Sequence, residues 1–231
     1  MINNKKILAI ITARSGSKSI PKKNIVKVNG RPLIYYIIKA ALSSKLLDEV
    51  IVSTDSLEIR RIAQRYKANV PFLRPKRLAT DKSKSIDALI HGLKQMERIN
   101  KEKYDYIICL QPTNPFLSCQ DIDQSIKLAE NKKADSVTSV YELIDFHPAK
   151  LKVISNGLLK DFSFREKEGS RRQDYPKLYK RNGGLYLIKR SVLLKNSLFG
   201  KKTVPYIMPA EKSVDINDKF DLALARLLLK K

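Results

Sequence analysis

The sequence predicts an α/β fold in which a mostly parallel sheet is covered by helices on both faces. Short apolar runs alternate with longer amphipathic ones along most of the chain, the order that strands joined by helical crossovers produce. A length of 231 residues suits one α/β domain, or one with an appended lobe, around a sizeable core. Hydrophobic residues make up 43% and charged residues 30%, the balance of a soluble globular chain.

Strands are expected at Lys6 to Thr12, Glu49 to Ser53, Tyr104 to Leu110, Ser136 to Tyr141 and Gly184 to Ile188, each a short run bounded by turn signals. Helical patterns lie between them. Pro32 to Ser44 opens on a proline suited to a first turn and repeats Leu33, Ile34, Ile37, Ile38, Ala41 and Leu42 at helical spacing. Ser56 to Tyr66, Ser85 to Glu97, Gln120 to Ala129 and Lys219 to Leu229 read likewise, with Ile122, Ile126 and Ala129 on one side of the fourth helix. From about Glu142 to Arg181 the rhythm breaks into polar sequence of mixed charge, too long for an ordinary connection. The reading is a single domain over 1–231 with an inserted arm at about 142–181.

Composition removes several function classes. No apolar run approaches the ~18 residues of a membrane span, and the segment after Met1 to Lys6 is too short for a secretory signal, so a cytoplasmic protein is expected. Cys109 and Cys119 lack metal-ligand spacing and read as packing residues. The net charge of +23 raises a nucleic-acid binder without enzymatic activity as the alternative. Lysines scattered over almost every segment, without interleaved aromatics, weigh against it.

The first strand runs into Ala13-Arg14-Ser15-Gly16-Ser17-Lys18-Ser19-Ile20-Pro21-Lys22-Lys23-Asn24. In an open parallel sheet, ligands bind beyond the carboxyl ends of the strands. Gly16 and the serines let the backbone approach a ligand closely, and Arg14, Lys18 and Lys23 supply charge, so the loop is read as a phosphate cradle. It matches neither GxxxxGK[ST] nor GxGxxG.

The stretch from Arg14 to Asn24 resembles the signature of the CMP-sialic acid synthetases (acylneuraminate cytidylyltransferases), the family that includes CMP-legionaminate and CMP-pseudaminate synthetases. Six further stretches agree in order: Val52-Ser53-Thr54-Asp55; Leu73-Arg74-Pro75 with Ala79-Thr80-Asp81; Leu110 to Pro115 (LQPTNP); Arg172-Gln173; Arg181 to Tyr186 (RNGGLY); and Val214-Asp215-Ile216-Asn217. The resemblance implies a Rossmann-like nucleotide-diphospho-sugar transferase fold. The implied reaction transfers CMP from CTP to a nine-carbon acidic sugar, sialic acid or a related nonulosonic acid such as legionaminic acid, with Mg²⁺ and release of pyrophosphate. 3-Deoxy-octulosonate is a more distant option.

By the same resemblance, Arg14, Lys18 and Lys23 are triphosphate ligands, with Lys23 stabilising the transition state. Asn24 holds cytidine or its ribose, and Arg74 and Ser83 face cytosine. Gln111 binds the sugar. The arm, with Arg172, Gln173 and Lys150, dimerises and reaches the partner's sugar pocket, while Asn182 and Tyr186 belong to the return strand, Asn182 as a substrate-side residue and Tyr186 as packing. Asp215 binds the metal. Its companion is Asn217 where the family commonly has an aspartate, with Asp218 available to help. Ser19 replaces a usual glycine, which would cost strain if its φ were positive. His91 and His147 have no partners at catalytic spacing and are read as structural; Asp55 is expected to fix the loops around the nucleotide.

Overall fold

The computed structural model describes residues 5–144, 150–162, 171 and 175–230. Its centre is a six-stranded sheet built from β1 (Ile7–Thr12), β4 (Glu49–Ser53), β5 (Tyr106–Leu110), β6 (Ser136–Leu143), β9 (Leu178–Lys189) and β10 (Thr203–Ile207), in the order β10-β6-β9-β5-β1-β4. β1 pairs in parallel with β4 and β5, and β10 with β6, while β9 runs antiparallel between β5 and β6. The sheet is therefore mostly parallel, as the alternation of patterns predicts.

Every residue from Ile7 to Ile11 is buried, because alternate side chains of β1 enter different layers. Ile7, Ala9 and Ile11 pack with Ile34, Ile37 and Ile38 of α1 (Leu33–Leu42), Ile59 and Ala63 of α2 (Leu57–Arg65), and Ile122, Ile126 and Ala129 of α4 (Cys119–Asn131). Leu8 and Ile10 meet Ile86, Leu89, Leu93 and Met96 of α3 (Ser85–Asn100) on the other face, with Leu193 of α5 (Arg190–Leu193). Each isoleucine, leucine and methionine among them contributes about 1.5–3 kcal/mol on leaving water. Gly92 exists for this packing: a Cβ there would stand 2.9 Å from Ile10 Cδ1.

Several elements escape the sequence patterns. β10 carries Pro205 in its middle, which an edge strand tolerates and a central one does not. A small hairpin, β2 (Lys27–Val28) with β3 (Arg31–Pro32), turns at Asn29-Gly30, both with positive φ (47° and 79°). The arm is not wholly irregular: β7 (Lys152–Ser155) and β8 (Leu158–Asp161) form a separate hairpin turning at Asn156-Gly157, again with positive φ (53° and 74°). β9 begins at Leu178, six residues before the expected start at Gly184, and β6 has a register shift opposite it between Thr138 and Val140.

A third apolar cluster positions the site. Ile20 of the cationic loop packs with Val28, Leu33, Ile216 and with Leu222 and Ala225 of α6 (Lys219–Leu228). The last helix thus holds both the first loop and the Asp215 segment against the sheet.

Candidate active site

The cationic loop leaves β1 with Ala13 N–H donating to Ser53 O (3.0 Å) at the end of β4. Asp55 then clamps Ser15, accepting from its backbone N–H at 2.8 Å and from its hydroxyl at 2.5 Å. Asn24, nearly buried, donates to Arg14 O (2.9 Å) and closes the loop on itself. Asp55 therefore fixes the loop, as expected. The left-handed residue is Lys22 (φ 53°), not Ser19, so the serine carries no left-handed strain; its hydroxyl donates to Asn217 O. Lys22 turns to Glu58, with Nζ–Oε distances of 3.0 and 2.8 Å.

The loop forms one wall of a cleft of about 400 Å³ lined by Arg14, Lys18, Lys23, Asn24, Arg74, Ser83 and Gln111 among others. Seven of the residues proposed from sequence therefore converge from three distant segments. A Cβ on Gly16 would meet nothing within 4 Å, and its φ is not positive, so the fold itself does not require glycine there. Lys23 Nζ donates to Ile216 O (2.9 Å), and burial pulls its pKa below the ordinary lysine value, against the raising effect of Asp215. A half-buried ammonium bonded to a neutral carbonyl stands to gain from an incoming anion. Arg74 is buried; its Nε donates to Ser53 Oγ (3.0 Å) and its Nη2 to Ser53 O, which fixes the guanidinium at the cleft wall. Ser83 Oγ accepts from Thr80 N–H (3.1 Å) and donates to Arg77 O (2.9 Å), so it shapes the turn that faces the loop.

Asp215 lies in the segment before α6, outside the residues that line the cleft, and beside Gly183, where a Cβ would stand 3.3 Å from its Oδ2. Asn217 Nδ2 donates to Asp215 O and Oδ2, both at 3.1 Å. Facing two acceptors, that amide presents nitrogen, so Asn217 orients the carboxylate instead of offering an oxygen of its own. Asp218 is likewise committed elsewhere: it caps α6, accepting from Phe220 N–H (2.8 Å) and Asp221 N–H (3.0 Å). Asp215 Oδ1 is buried without a partner. A bare, oriented carboxylate oxygen fits a hard cation such as Mg²⁺. No group of three or more His, Cys, Asp or Glu among the described residues could hold a metal, so most ligands would come from phosphate and water, the usual arrangement for Mg²⁺.

Other expectations fall outside the cleft. Asn182 is buried in β9, accepting from Ser139 Oγ (2.5 Å) and Gly184 N–H (3.1 Å) and donating to Ser213 Oγ (3.0 Å) and Met208 Sδ (3.2 Å). Its amide is used by the fold, not presented to a ligand. Tyr186 packs against the α3 side of the core, edge-to-face with Phe199. Lys150 is exposed and does not line the cleft. Arg172, Gln173 and His147 lie outside the described residues. His91 packs edge-to-face on Phe72, with its pKa lowered by burial and by Arg74 and Arg77. Cys109 is buried, its thiol pushed up to about 12, and is inert. The residue that sequence reasoning missed is Asp81, which lines the cleft and pairs with Arg14 (2.9 Å) and Lys18 (3.3 Å); its signal was a lone carboxylate in the Ala79-Thr80-Asp81 stretch.

Comparison with known proteins decides the family, since the cytidylyltransferase family model matches residues 8–224. The chain belongs to that family. It is 34% identical over 228 residues to the CMP-N,N′-diacetyllegionaminic acid synthase of Legionella pneumophila, covering 97% of this chain and 96% of that protein. It is 35% identical over 222 residues to the N-acylneuraminate cytidylyltransferase of Escherichia coli O18:K1:H7, covering 95% of this chain and 51% of that longer protein. Among solved structures, CMP:2-keto-3-deoxy-manno-octonic acid synthetase complexed with CTP superposes with a TM-score of 0.72 at 18% identity, over 98% of this chain and 99% of that one. That likeness supports the fold. This cytidylyltransferase is accordingly a nucleotidyltransferase, and the cationic cleft is where its chemistry is sought.

Proposed function

We propose that this cytidylyltransferase activates a nonulosonic acid with CTP, giving the CMP-sugar and pyrophosphate. The observation that carries the reading is the convergence of Arg14, Lys18 and Lys23 on one side of the cleft with Arg74, Ser83 and Gln111 on the others. The first group suits a triphosphate, the second a base and a polyhydroxylated acid. The two sequence relatives described above are named for N,N′-diacetyllegionaminic acid and N-acylneuraminate, which supports the sugar class without choosing its member. Nothing supports the nucleic-acid alternative.

In this reading the sugar's 2-hydroxyl oxygen forms a bond to the α-phosphorus and gives its proton to water, as the α–β bridging bond breaks and pyrophosphate leaves. Lys23, anchored by Ile216 O, places a fixed positive charge where negative charge develops on the phosphoryl oxygens. Arg14 and Lys18 take the outer phosphates. Asp215, oriented by Asn217, would hold Mg²⁺, which supplies charge neutralisation on the phosphates when bound.

The reading carries a homodimer and a cytoplasmic setting, where CTP is made. The β7–β8 hairpin supports the dimer: Ile154, Leu158 and Leu159 are 80%, 63% and 70% exposed, a cost that a second subunit would relieve. Pyrophosphate release from CTP with Mg²⁺, measured across sialic, legionaminic and pseudaminic acids, tests the whole. Release with at least one acid is expected; silence on all three would reject the reading.

A further inference from the structure

We propose that Asp81 is the residue that sets polyphosphate affinity: its carboxylate holds Arg14 and Lys18 in the free protein, yields them to the triphosphate, and recaptures them as pyrophosphate leaves. This rests on the reading of the cleft as the CTP site.

One carboxylate spans two cations of the loop. Oδ1 of Asp81 lies 2.9 Å from Arg14 Nη1 and Oδ2 lies 3.3 Å from Lys18 Nζ. The same Arg14 nitrogen donates to Thr80 O at 2.9 Å, so the guanidinium is tied to this turn at the cleft wall. Asp81 thus occupies two of the three loop cations facing the cleft. Lys23, bonded to a backbone carbonyl, is left available.

The contact is built to be exchanged. Side-chain exposures of 45% for Asp81 and 81% for Lys18 make the pair weak in water, and a polyphosphate offers more charge and more acceptor oxygens than one carboxylate. Asp81 left in place beside a bound triphosphate would add like-charge repulsion, because Lys18 and Arg14 hold its carboxyl below the usual range and keep it ionised. The movement required is small. The turn itself is pinned through Ser83, which bonds Thr80 and Arg77, so it falls chiefly on the Asp81 side chain. A resident counter-ion of this kind lowers affinity for substrate and product alike, and so favours release of the highly charged leaving group.

The test is calorimetric titration of the full chain with inorganic tripolyphosphate and with pyrophosphate, comparing wild type, Asp81→Asn, Lys18→Ala and Lys18→Ala/Asp81→Asn. Asp81→Asn is expected to bind both anions roughly five- to tenfold more tightly, the scale of an exposed ion pair plus a removed like charge. The gain should shrink in the Lys18→Ala background. In turnover, KM for CTP should fall and pyrophosphate inhibition should strengthen. Equal or weaker anion binding by Asp81→Asn would overturn the proposal and make Asp81 an orienting group for Arg14. Failure of the wild type to bind either anion would overturn it together with the assignment of the cleft, whereas binding by the wild type with no sugar turnover would leave the polyphosphate site standing and count against the sugar reading alone.

Discussion

The loop from Ala13 to Asn24 and the turn from Gln111 to Thr113 border the same cleft, yet their polar groups, and those packed behind them, are spent differently. On the loop side, Ser15 is held by Asp55, Asn24 by Arg14 O, Ser19 by Asn217 O and Lys23 by Ile216 O. On the turn side, Thr113 Oγ1, both amide atoms of Asn114 and the adjoining Asp215 Oδ1 are buried without partners; they are four of the six such atoms among the described residues. An unpaired buried polar atom costs about 1–3 kcal/mol. Folding alone finishes the first wall. The second leaves these groups unpaired by the protein itself.

Substitutions on the two walls should therefore behave differently, beginning with the largest effect. Lys23→Ala is expected to lower kcat by about 10²–10³-fold, the scale of one lost transition-state donor, while the melting temperature changes little. Retained kcat would remove Lys23 from the chemistry. Asp215→Asn should also lose most of its turnover and its Mg²⁺ dependence, yet leave thermal stability unchanged or slightly raised, since an unpartnered carboxylate oxygen is replaced by a neutral amide. Asp55→Ala should do the reverse to the fold: two hydrogen bonds to Ser15 go, destabilising by about 1–3 kcal/mol in denaturant titration, with a raised KM for CTP. Equal stability effects at Asp215 and Asp55 would erase the contrast.

Gly184→Ala probes the unfinished wall sterically. The new Cβ would stand 2.9 Å from Asn114 Nδ2, and about 1–3 kcal/mol of lost stability is expected from such overpacking. The smallest effect concerns pH. Burial depresses the pKa of Lys23 below 10.5, so the unfolded chain holds this proton in a window where the folded chain has released it. Stability relative to Lys23→Met should accordingly rise with pH through that window, from the depressed value up to about 10.5, and be lowest below it. A flat difference would mean that the lysine is not desolvated.

Much of this was legible in the sequence because it rests on local patterns. The strand β1 followed by a small-residue cationic loop, and the helical spacing from Leu33 to Leu42, need no long-range information. Asn29-Gly30 and Asn156-Gly157 were readable hairpin signals that the polar surroundings obscured. β10 was hidden by Pro205, whose meaning changes once the strand is known to be an edge. Asn182 was misjudged for another reason: a polar residue inside a strand can serve a ligand or a buried network, and its partners Ser139, Met208 and Ser213 are 26 to 43 residues away. Asn217 shows the same limit, since only the packed structure reveals which end of its amide faces Asp215.

Diffraction from a crystal soaked with CTP and Mg²⁺ would test the central claim most directly. The account predicts the triphosphate against Arg14, Lys18 and Lys23, a cation at Asp215 Oδ1, and the Asp81 carboxylate withdrawn from both cations of the loop. Triphosphate density away from the loop, with Lys23 still bonded only to Ile216 O, would contradict it.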